Sequence, residues 1–143
     1  MTLRAARIDD AAEIARLAGE LGYQAPVEVM RERLEMLMRH PDHFIRVAQD
    51  GDALRGWIAA ERRRTLESGE RVEIVGLVVD AASRGGGVGR QLVADAEQWA
   101  RSLGFASMAV RSNIARDASH PFYQRLGYVC RKTQHYYIKQ FDA

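Results

Sequence analysis

The sequence has one cysteine, a small net charge and no long hydrophobic run, and each of these shortages excludes a class of protein. A lone Cys130 cannot form an intramolecular disulfide, and one thiol is too few for a structural zinc site. The 21 basic and 19 acidic side chains nearly cancel, which argues against a dedicated nucleic-acid binder. No segment is long and apolar enough to span a membrane, and residues 1–15 lack the apolar core of a signal peptide. We therefore expect a cytoplasmic protein without nucleic-acid or membrane partners.

Length and composition predict a single domain over residues 1–143. With 47% hydrophobic and 28% charged residues, a chain of 143 residues can bury about two-thirds of its surface around one core. The charge is divided unevenly along the chain. Residues 1–83 carry 12 basic and 15 acidic side chains, a net charge of −3, whereas residues 84–143 carry 9 and 4, a net charge of +5.

Hydrophobic periodicity predicts an α/β protein with a mixed sheet, in the order βααβββαβαββ. The predicted strands are Leu3–Ala6, Phe44–Ala48, Leu54–Ala60, Val72–Val79, Ser107–Arg111, Tyr128–Arg131 and Tyr136–Phe141. The predicted helices are Asp10–Gly22, Pro26–His40, Val88–Leu103 and Ser119–Leu126. The polar stretch Arg62–Arg71 is interpreted as a loop.

A glycine cluster follows the most hydrophobic predicted strand, Val72–Val79, which reads VEIVGLVV. Four glycines occupy the five positions 85–89, directly before the long predicted helix. Glycine lets backbone N–H groups approach a ligand closely, and the first turn of a helix presents N–H groups with a partial positive charge. The segment is therefore a candidate phosphate cradle. A flexible turn is the alternative interpretation of the same glycines.

Two common phosphate-binding patterns do not fit this cluster. A nucleotide-hydrolysing P-loop requires a lysine after its last glycine, and the only lysines are Lys132 and Lys139. The dinucleotide-binding pattern G-x-G-x-x-G fails from either starting glycine, because its sixth position is Arg90 or Leu92. Both classes of nucleotide site are excluded.

A different pattern, R-x-x-G-x-G, is met by Arg84, Gly87 and Gly89 directly after the strand. A second segment, Ser112–Tyr128, reads SNIARDASHPFYQRLGY and contains an F-Y pair followed by L-G-Y. In both segments the sequence resembles the GCN5-related N-acetyltransferases, the GNAT family. The resemblance covers essentially the whole chain.

The resemblance implies the acyl-CoA N-acyltransferase fold of that family, a mostly antiparallel sheet of about seven strands with about four helices. It implies acetyl transfer from acetyl-CoA to an amine by direct attack in a ternary complex, with no metal. In the family the glycine loop binds the CoA pyrophosphate through backbone amides, and the preceding strand hydrogen-bonds the pantetheine arm. The cofactor-binding residues implied are Leu77, Val78, Val79, Arg84, Gly85, Gly86, Gly87, Val88, Gly89, Arg90 and Asn113.

Acetyl transfer to an amine needs a group that takes a proton from the ammonium, donors for the developing oxyanion, and a proton for the departing thiolate. The resemblance implies Tyr123, in the F-Y pair, as the general acid; a half-buried aromatic residue that anchors a short helix is the alternative. Glu73 is the candidate base, because burial in an apolar strand disfavours the charged carboxylate. A solvated strand end is the alternative for Glu73, and Glu61 competes for the role. Main-chain N–H groups near Leu77 and Val78 are candidate oxyanion donors.

The resemblance places the acceptor near the first two helices and their connection. The residues implied there are Tyr23, Gln24, Glu28, Glu32 and Tyr136. The net positive segment suits CoA, a polyanion, and the net negative segment suits a cationic amine. Our leading interpretation is acetylation of a small primary amine. A protein or peptide N-acetyltransferase, and a non-catalytic acyl-CoA-binding regulatory module, remain open alternatives, and the aromatic final strand is compatible with a homodimer.

Overall fold

The computed structural model describes residues 1–113 and 119–142, and the chain forms two compact units, Met1–Arg111 and Ser112–Ala143. The strands of the first unit are β1 (Thr2–Ala5), β2 (His43–Asp50), β3 (Ala53–Thr65), β4 (Gly69–Val79) and β5 (Ala109–Val110). Its α-helices are α1 (Ala11–Glu20), α2 (Val27–Met38) and α3 (Val88–Ser102), with single 3-10 turns at Ile8–Asp10 and Ala81–Ser83. The second unit contains α4 (Ser119–Arg125). None of the helices described is long and apolar enough to cross a membrane.

The five strands form one sheet in the order β1-β2-β3-β4-β5. Pairing is antiparallel from β1 to β4 and parallel between β4 and β5. Helices follow the strands on both faces of this sheet, so the mixed α/β class predicted from the sequence is confirmed.

Strand alternation gives the sheet two apolar faces. Val47 and Val78 point to one face, where they pack with Leu17 of α1 and Leu34 of α2. The neighbouring residue on each strand points to the other face. That second face is covered by α3, whose Leu92 is fully buried. The buried residues of α1, α2 and α3 thus include apolar residues at the helical spacing predicted from the sequence, such as Leu17, Leu34 and Leu92.

The interpretation of Arg62–Arg71 as a loop is wrong, because β3 continues to Thr65 and β4 begins at Gly69. Opposite charges pair across these strands. Arg62 Nη2 lies 2.8 Å from Glu70 Oε2, and Arg64 Nε lies 3.0 Å from Glu70 Oε1. Cross-strand ion pairs therefore stabilise a hairpin that has no apolar alternation for sequence analysis to detect.

The two last predicted strands, Tyr128–Arg131 and Tyr136–Phe141, are also wrong, since residues 128–142 contain no strand. The side chains of residues 129–142 are exposed, with Tyr136 at 88% and Phe141 at 87%. The aromatic pattern suits a strand, but a strand also requires a partner backbone, and within the described residues none pairs with this segment. The predicted strand Ser107–Arg111 is reduced to β5. The described part of the chain thus has five strands rather than about seven.

Candidate active site

The pairing of β4 with β3 is interrupted by a bulge. Ala59 is opposite Gly76 and Ala60 is opposite Ile74, so Val75 has no opposite residue on β3. Val75 is 51% exposed, although Ile74 beside it is only 2% exposed. Bulges bend a strand, interrupt its ladder and recur next to active sites. This bulge lies in the middle of the strand that precedes the glycine loop.

Beyond the bulge, β4 has an open edge. β5 pairs with β4 only at Glu73 and Ile74. The Asp80 N–H donates to the carbonyl oxygen of Arg55 on β3 at 2.8 Å. Because successive residues of a strand direct their main-chain groups to alternate edges, those of Leu77 and Val79 point away from β3. Within residues 1–111 no strand pairs with this edge, which can hydrogen-bond an extended ligand.

The glycine loop adopts a backbone that other residues rarely adopt. Gly85 has φ 85° and Gly87 has φ 86°, both in the left-handed region. Gly86 N–H donates to the carbonyl oxygen of Ser83 at 3.2 Å, which folds the loop back on the preceding turn. The loop is therefore a shaped turn, and its glycines are needed for its backbone conformation.

The N-terminus of α3 completes the loop. Helical hydrogen bonding starts with Gln91 N–H, which donates to the carbonyl oxygen of Gly87 at 3.0 Å. The N–H groups of Val88, Gly89 and Arg90 precede that bond and have no acceptor within the helix. The side chain of Val88 is buried beneath this turn. Anchored N–H groups at a helix N-terminus form a binding site for an anion.

Charged side chains fix one end of the loop and face solvent at the other. The buried Asp80 carboxylate accepts from the N–H of Ala82 at 3.1 Å and lies 3.5 Å from Arg55 Nη1. Arg84 and Arg90 are exposed on the loop and on the first turn of α3. Two exposed guanidinium groups beside oriented N–H donors fit a pyrophosphate in number and in charge.

Three arginines surround the candidate base Glu73. Its side chain is 5% exposed, and its carboxylate lies 3.0 Å from Arg63 Nη1, 3.7 Å from Arg71 Nη2 and 3.6 Å from Arg111 Nε. Glu73 is therefore not at a solvated strand end, and its surroundings are cationic rather than apolar. Sequence analysis missed these arginines. Alternation along β3 and β4 could have identified two of them, but the Arg111 contact depends on the pairing of β4 with β5.

Glu61, the competing base, is opposite Glu73 on β3. Its carboxylate lies 3.5 Å from Arg63 Nε and 3.9 Å from His43 Nδ1, and its side chain is 29% exposed. The structure thus brings both candidate carboxylates into one ion-pair cluster. Among the residues that the structure describes, no group of three or more His, Cys, Asp or Glu side chains could hold a metal ion.

Tyr123 and Asn113 belong to the second unit. Tyr123 is half-buried on α4, and its ring meets those of Phe122 and Tyr128 edge-on, with centroids 5.0 Å and 5.8 Å away. Asn113 is exposed just before the segment 114–118, the part of the second motif that lies outside the described residues. Tyr123 thus belongs to an aromatic cluster, as the helix-anchoring alternative expects, and it carries the phenol that the acid role requires.

The proposed acceptor residues are mostly exposed. Tyr23 is 58% exposed between α1 and α2, and Gln24 Nε2 donates to the main chain of α1 at 3.3 Å. Glu28 and Glu32 are exposed on α2, while Tyr136 belongs to the second unit. The structure brings the first four to one pair of helices and their connection.

Comparisons with known proteins give matches to acetyltransferases. A sequence model described as the acetyltransferase (GNAT) family matches residues 9–128. The uncharacterized N-acetyltransferase YhdJ of Bacillus subtilis is 29% identical over 112 residues, which are 78% of this chain and 79% of that protein. An aminoalkylphosphonate N-acetyltransferase of Salmonella typhimurium is 34% identical over 113 residues, 78% of this chain and 71% of that protein.

Solved structures share the fold. Aminoglycoside N-acetyltransferase AAC(6')-Iy, in complex with CoA, superposes with a TM-score of 0.87 at 20% identity, over 98% of this chain and 95% of that one. An aminoglycoside 6'-N-acetyltransferase of Acinetobacter haemolyticus gives a TM-score of 0.86 at 19% identity, over 99% and 100% of the two chains. The likeness shows the fold, and the match over residues 9–128 shows the family. The chain belongs to the GNAT family of acetyltransferases, enzymes that use acetyl-CoA as the acetyl donor.

Proposed function

We propose that this chain is a single cytoplasmic domain that transfers the acetyl group of acetyl-CoA to a primary amine of a small molecule. One observation carries the proposal: the open edge of β4 at Leu77 and Val79 leads directly into the glycine loop and the N-terminus of α3. A ligand with a pyrophosphate at one end and an extended amide chain at the other matches this arrangement. The loop and the N-terminus of α3 offer N–H groups to the pyrophosphate, and the edge of β4 offers main-chain groups to the amide chain. The curated relative named for aminoalkylphosphonates and the aminoglycoside enzymes of the same fold support a small acceptor.

The residues present fit acetyl-CoA as follows. Backbone N–H groups of Gly85 and of residues 87–90 would hold the pyrophosphate, while Gly86 shapes the loop through its bond to Ser83. Arg84 and Arg90 would add charge-assisted bonds. Main-chain groups of Leu77 and Val79 would pair with the pantetheine arm, as an added strand would. Val78 packs its side chain into the core and directs its main chain to β3, so it acts by holding this edge in place. Asn113 is a cofactor-binding candidate by its motif.

The acceptor amine must be deprotonated before it attacks, because an alkyl ammonium has a pKa of about 10. Glu73 is our candidate for taking this proton, directly or through water, and Glu61 is the alternative. The Glu73 carboxylate is held in position by ion pairs with three guanidinium groups. Of the two candidate oxyanion donors, Leu77 N–H points away from β3 and is the better placed.

Tyr123 is our candidate general acid for the departing thiolate. A phenol donates a hydrogen bond to a developing thiolate at neutral pH, which the ring of the neighbouring Phe122 cannot do. The support is its place in the F-Y motif and its half-buried position on α4.

The acceptor in this proposal is cationic at its amine, which suits the exposed carboxylates of Glu28 and Glu32 on α2. We also propose a homodimer. Its support is a group of large exposed side chains near the end of the chain, Tyr136, Tyr137 and Phe141, which a second copy could cover.

The test is calorimetric titration with CoA followed by an acetyl-CoA consumption assay over small amines and peptides. CoA binding together with turnover of small amines supports the proposal. Turnover of peptides alone would assign the chain to protein acetylation instead. CoA binding without turnover of any acceptor would favour the regulatory module.

A further inference from the structure

We propose that the arginines around Glu73 bind an acidic group of the acceptor, so that the substrate is an amine that also carries a carboxylate or phosphonate. This inference rests on the proposed function and names the substrate class for its site. Aminocarboxylates and aminophosphonates share one feature, an oxyanion that a short linker separates from the amine.

The cluster occupies one face of the sheet. Glu61 and Arg63 of β3 are opposite Glu73 and Arg71 of β4, respectively, and alternation directs all four side chains to one side. Arg111, directly after β5, reaches the same carboxylate. By the same alternation this is the face on which α1 and α2 pack.

The cluster also lies at one end of the proposed acetyl-CoA path. Glu73 is two residues before the bulge at Val75 and is one of the two positions where β5 still pairs with β4. The open edge at Leu77 and Val79 connects that point to the glycine loop. A ligand held by its pyrophosphate in the loop and extended along this edge directs its other end toward Glu73.

The positive charges of the cluster exceed the negative ones. Arg63, Arg71 and Arg111 face the two carboxylates of Glu73 and Glu61. Arg71 Nε is buried and has no hydrogen-bond partner among the described residues. Arg111 reaches Glu73 through one nitrogen at 3.6 Å while its side chain is 58% exposed. The cluster therefore retains donors and one unit of positive charge for a further anion.

Guanidinium chemistry selects the ligand. The planar fork of an arginine binds a carboxylate or phosphonate through two parallel hydrogen bonds. A diamine would instead bring a second cation toward three arginines, which is unfavourable at short range. Glu73 holds the arginines in position, and the acidic group of the acceptor would add the missing negative charge.

Binding of the anion can be tested apart from catalysis, with methylphosphonate as the probe and thermal unfolding as the readout. We expect methylphosphonate to raise the Tm of the wild-type chain, and Arg111→Gln to abolish the shift. Arg64→Gln is the matched control, because Arg64 is 56% exposed and pairs with Asp42 and Glu70 on the opposite face. Equal shifts in wild type and Arg111→Gln would overturn the inference.

Kinetics provide the second arm, with 2-aminoethylphosphonate and β-alanine compared with propylamine and 1,3-diaminopropane, each corrected for its free-amine fraction. The wild-type kcat/KM should be at least about tenfold higher for the acidic amines, the effect of one charge-assisted interaction. Arg111→Gln should remove this preference mainly through KM, whereas Arg64→Gln should retain it. A phosphonate that binds better than a carboxylate would be seen as a lower KM in the same panel.

The outcomes separate the two proposals. Acetylation of all four amines without preference overturns the acidic-acceptor inference and leaves the proposed function intact. Anion binding without acetylation of any amine refutes the proposed function and retains the anion site. An equal loss with acidic and neutral amines in Arg111→Gln would show a merely structural role and would also overturn the inference.

Discussion

Replacing Gly87 with alanine should weaken CoA binding by more than its effect on folding explains. Gly87 has φ 86° and precedes the first turn of α3. A Cβ at this position would meet only Arg90 Nη2, at 3.5 Å, so the substitution introduces backbone strain and no collision. The perturbation therefore acts on the loop conformation itself.

The expected losses of stability and of CoA affinity follow from the left-handed conformation of Gly87. An L-residue with such a φ costs about 1 to 2 kcal/mol, which lowers the Tm of a chain of this size by about 4 °C per kcal/mol. The loop can relieve the strain by rotating its peptide groups, and the N–H groups of Gly87 and Val88 then leave their positions. Loss of one charge-assisted hydrogen bond to phosphate, about 1.5 to 3 kcal/mol, corresponds to a CoA Kd about tenfold to hundredfold higher.

Gly104→Ala provides the control at the other end of α3. Gly104 has φ 90°, with nothing within 4 Å of an added Cβ, so it imposes the same kind of strain. Calorimetric titration with CoA and thermal unfolding should show similar Tm losses for both variants and weaker binding only for Gly87→Ala. The reasoning is refuted if the Kd of Gly87→Ala stays within threefold of wild type, or if Gly104→Ala weakens CoA binding equally.

Other variants test the remaining steps. Tyr123→Phe should lower kcat more than KM, because phenylalanine has no proton to donate; an unchanged rate rules out the acid role. Glu73→Gln should remove the acidic limb of the pH–rate profile, and a retained limb would assign the base to another group. Burial raises the pKa of the Asp10 carboxyl, but its bonds to Arg4 at 2.8 Å and to a main-chain N–H outweigh this and lower the pKa. Its stabilising contribution is therefore complete above about pH 4 and lost as the pH falls through the lowered pKa. Asp10→Asn should cost about 2 kcal/mol in urea unfolding at pH 7 and progressively less towards pH 3. Gly56→Ala should cost about 2 kcal/mol by thermal unfolding, because its Cβ would lie 2.8 Å from a β4 carbonyl oxygen; a neutral effect would show that the strands separate easily.

Local signals in the sequence predict the elements whose structure is determined locally. The run Val72–Val79 is apolar at nearly every position, as a central strand requires, and β4 includes it. The hairpin around Arg62 and Glu70 has no such signal, since the pairing of its charges becomes visible only when the strands are aligned. The aromatic segment from Tyr136 has a strand-like pattern and no partner strand in the described residues.

The same distinction applies to the candidate site. The glycine loop is predictable because positive φ at Gly85 and Gly87 is a property of those residues alone. The surroundings of Glu73 are not, because Arg63 and Arg111 reach it across two strand pairings. Burial of Glu73 follows from its apolar neighbours in sequence, whereas the charge around it depends on the sheet.

Because the charge around Glu73 depends on strand pairing, the division of charge along the chain has a different implication in the folded protein. The net charge of −3 over residues 1–83 favoured a cationic acceptor, yet Arg63 and Arg71 belong to that acidic part and meet Arg111 of the basic part at one carboxylate. Contacts of 3 to 4 Å outweigh exposed charges such as Glu28, whose field is screened beyond about 8 to 10 Å. The local field at Glu73 therefore favours an anion even though the surrounding sequence is acidic. An acceptor with both an ammonium and an acidic group satisfies both requirements, and a purely cationic amine satisfies only one.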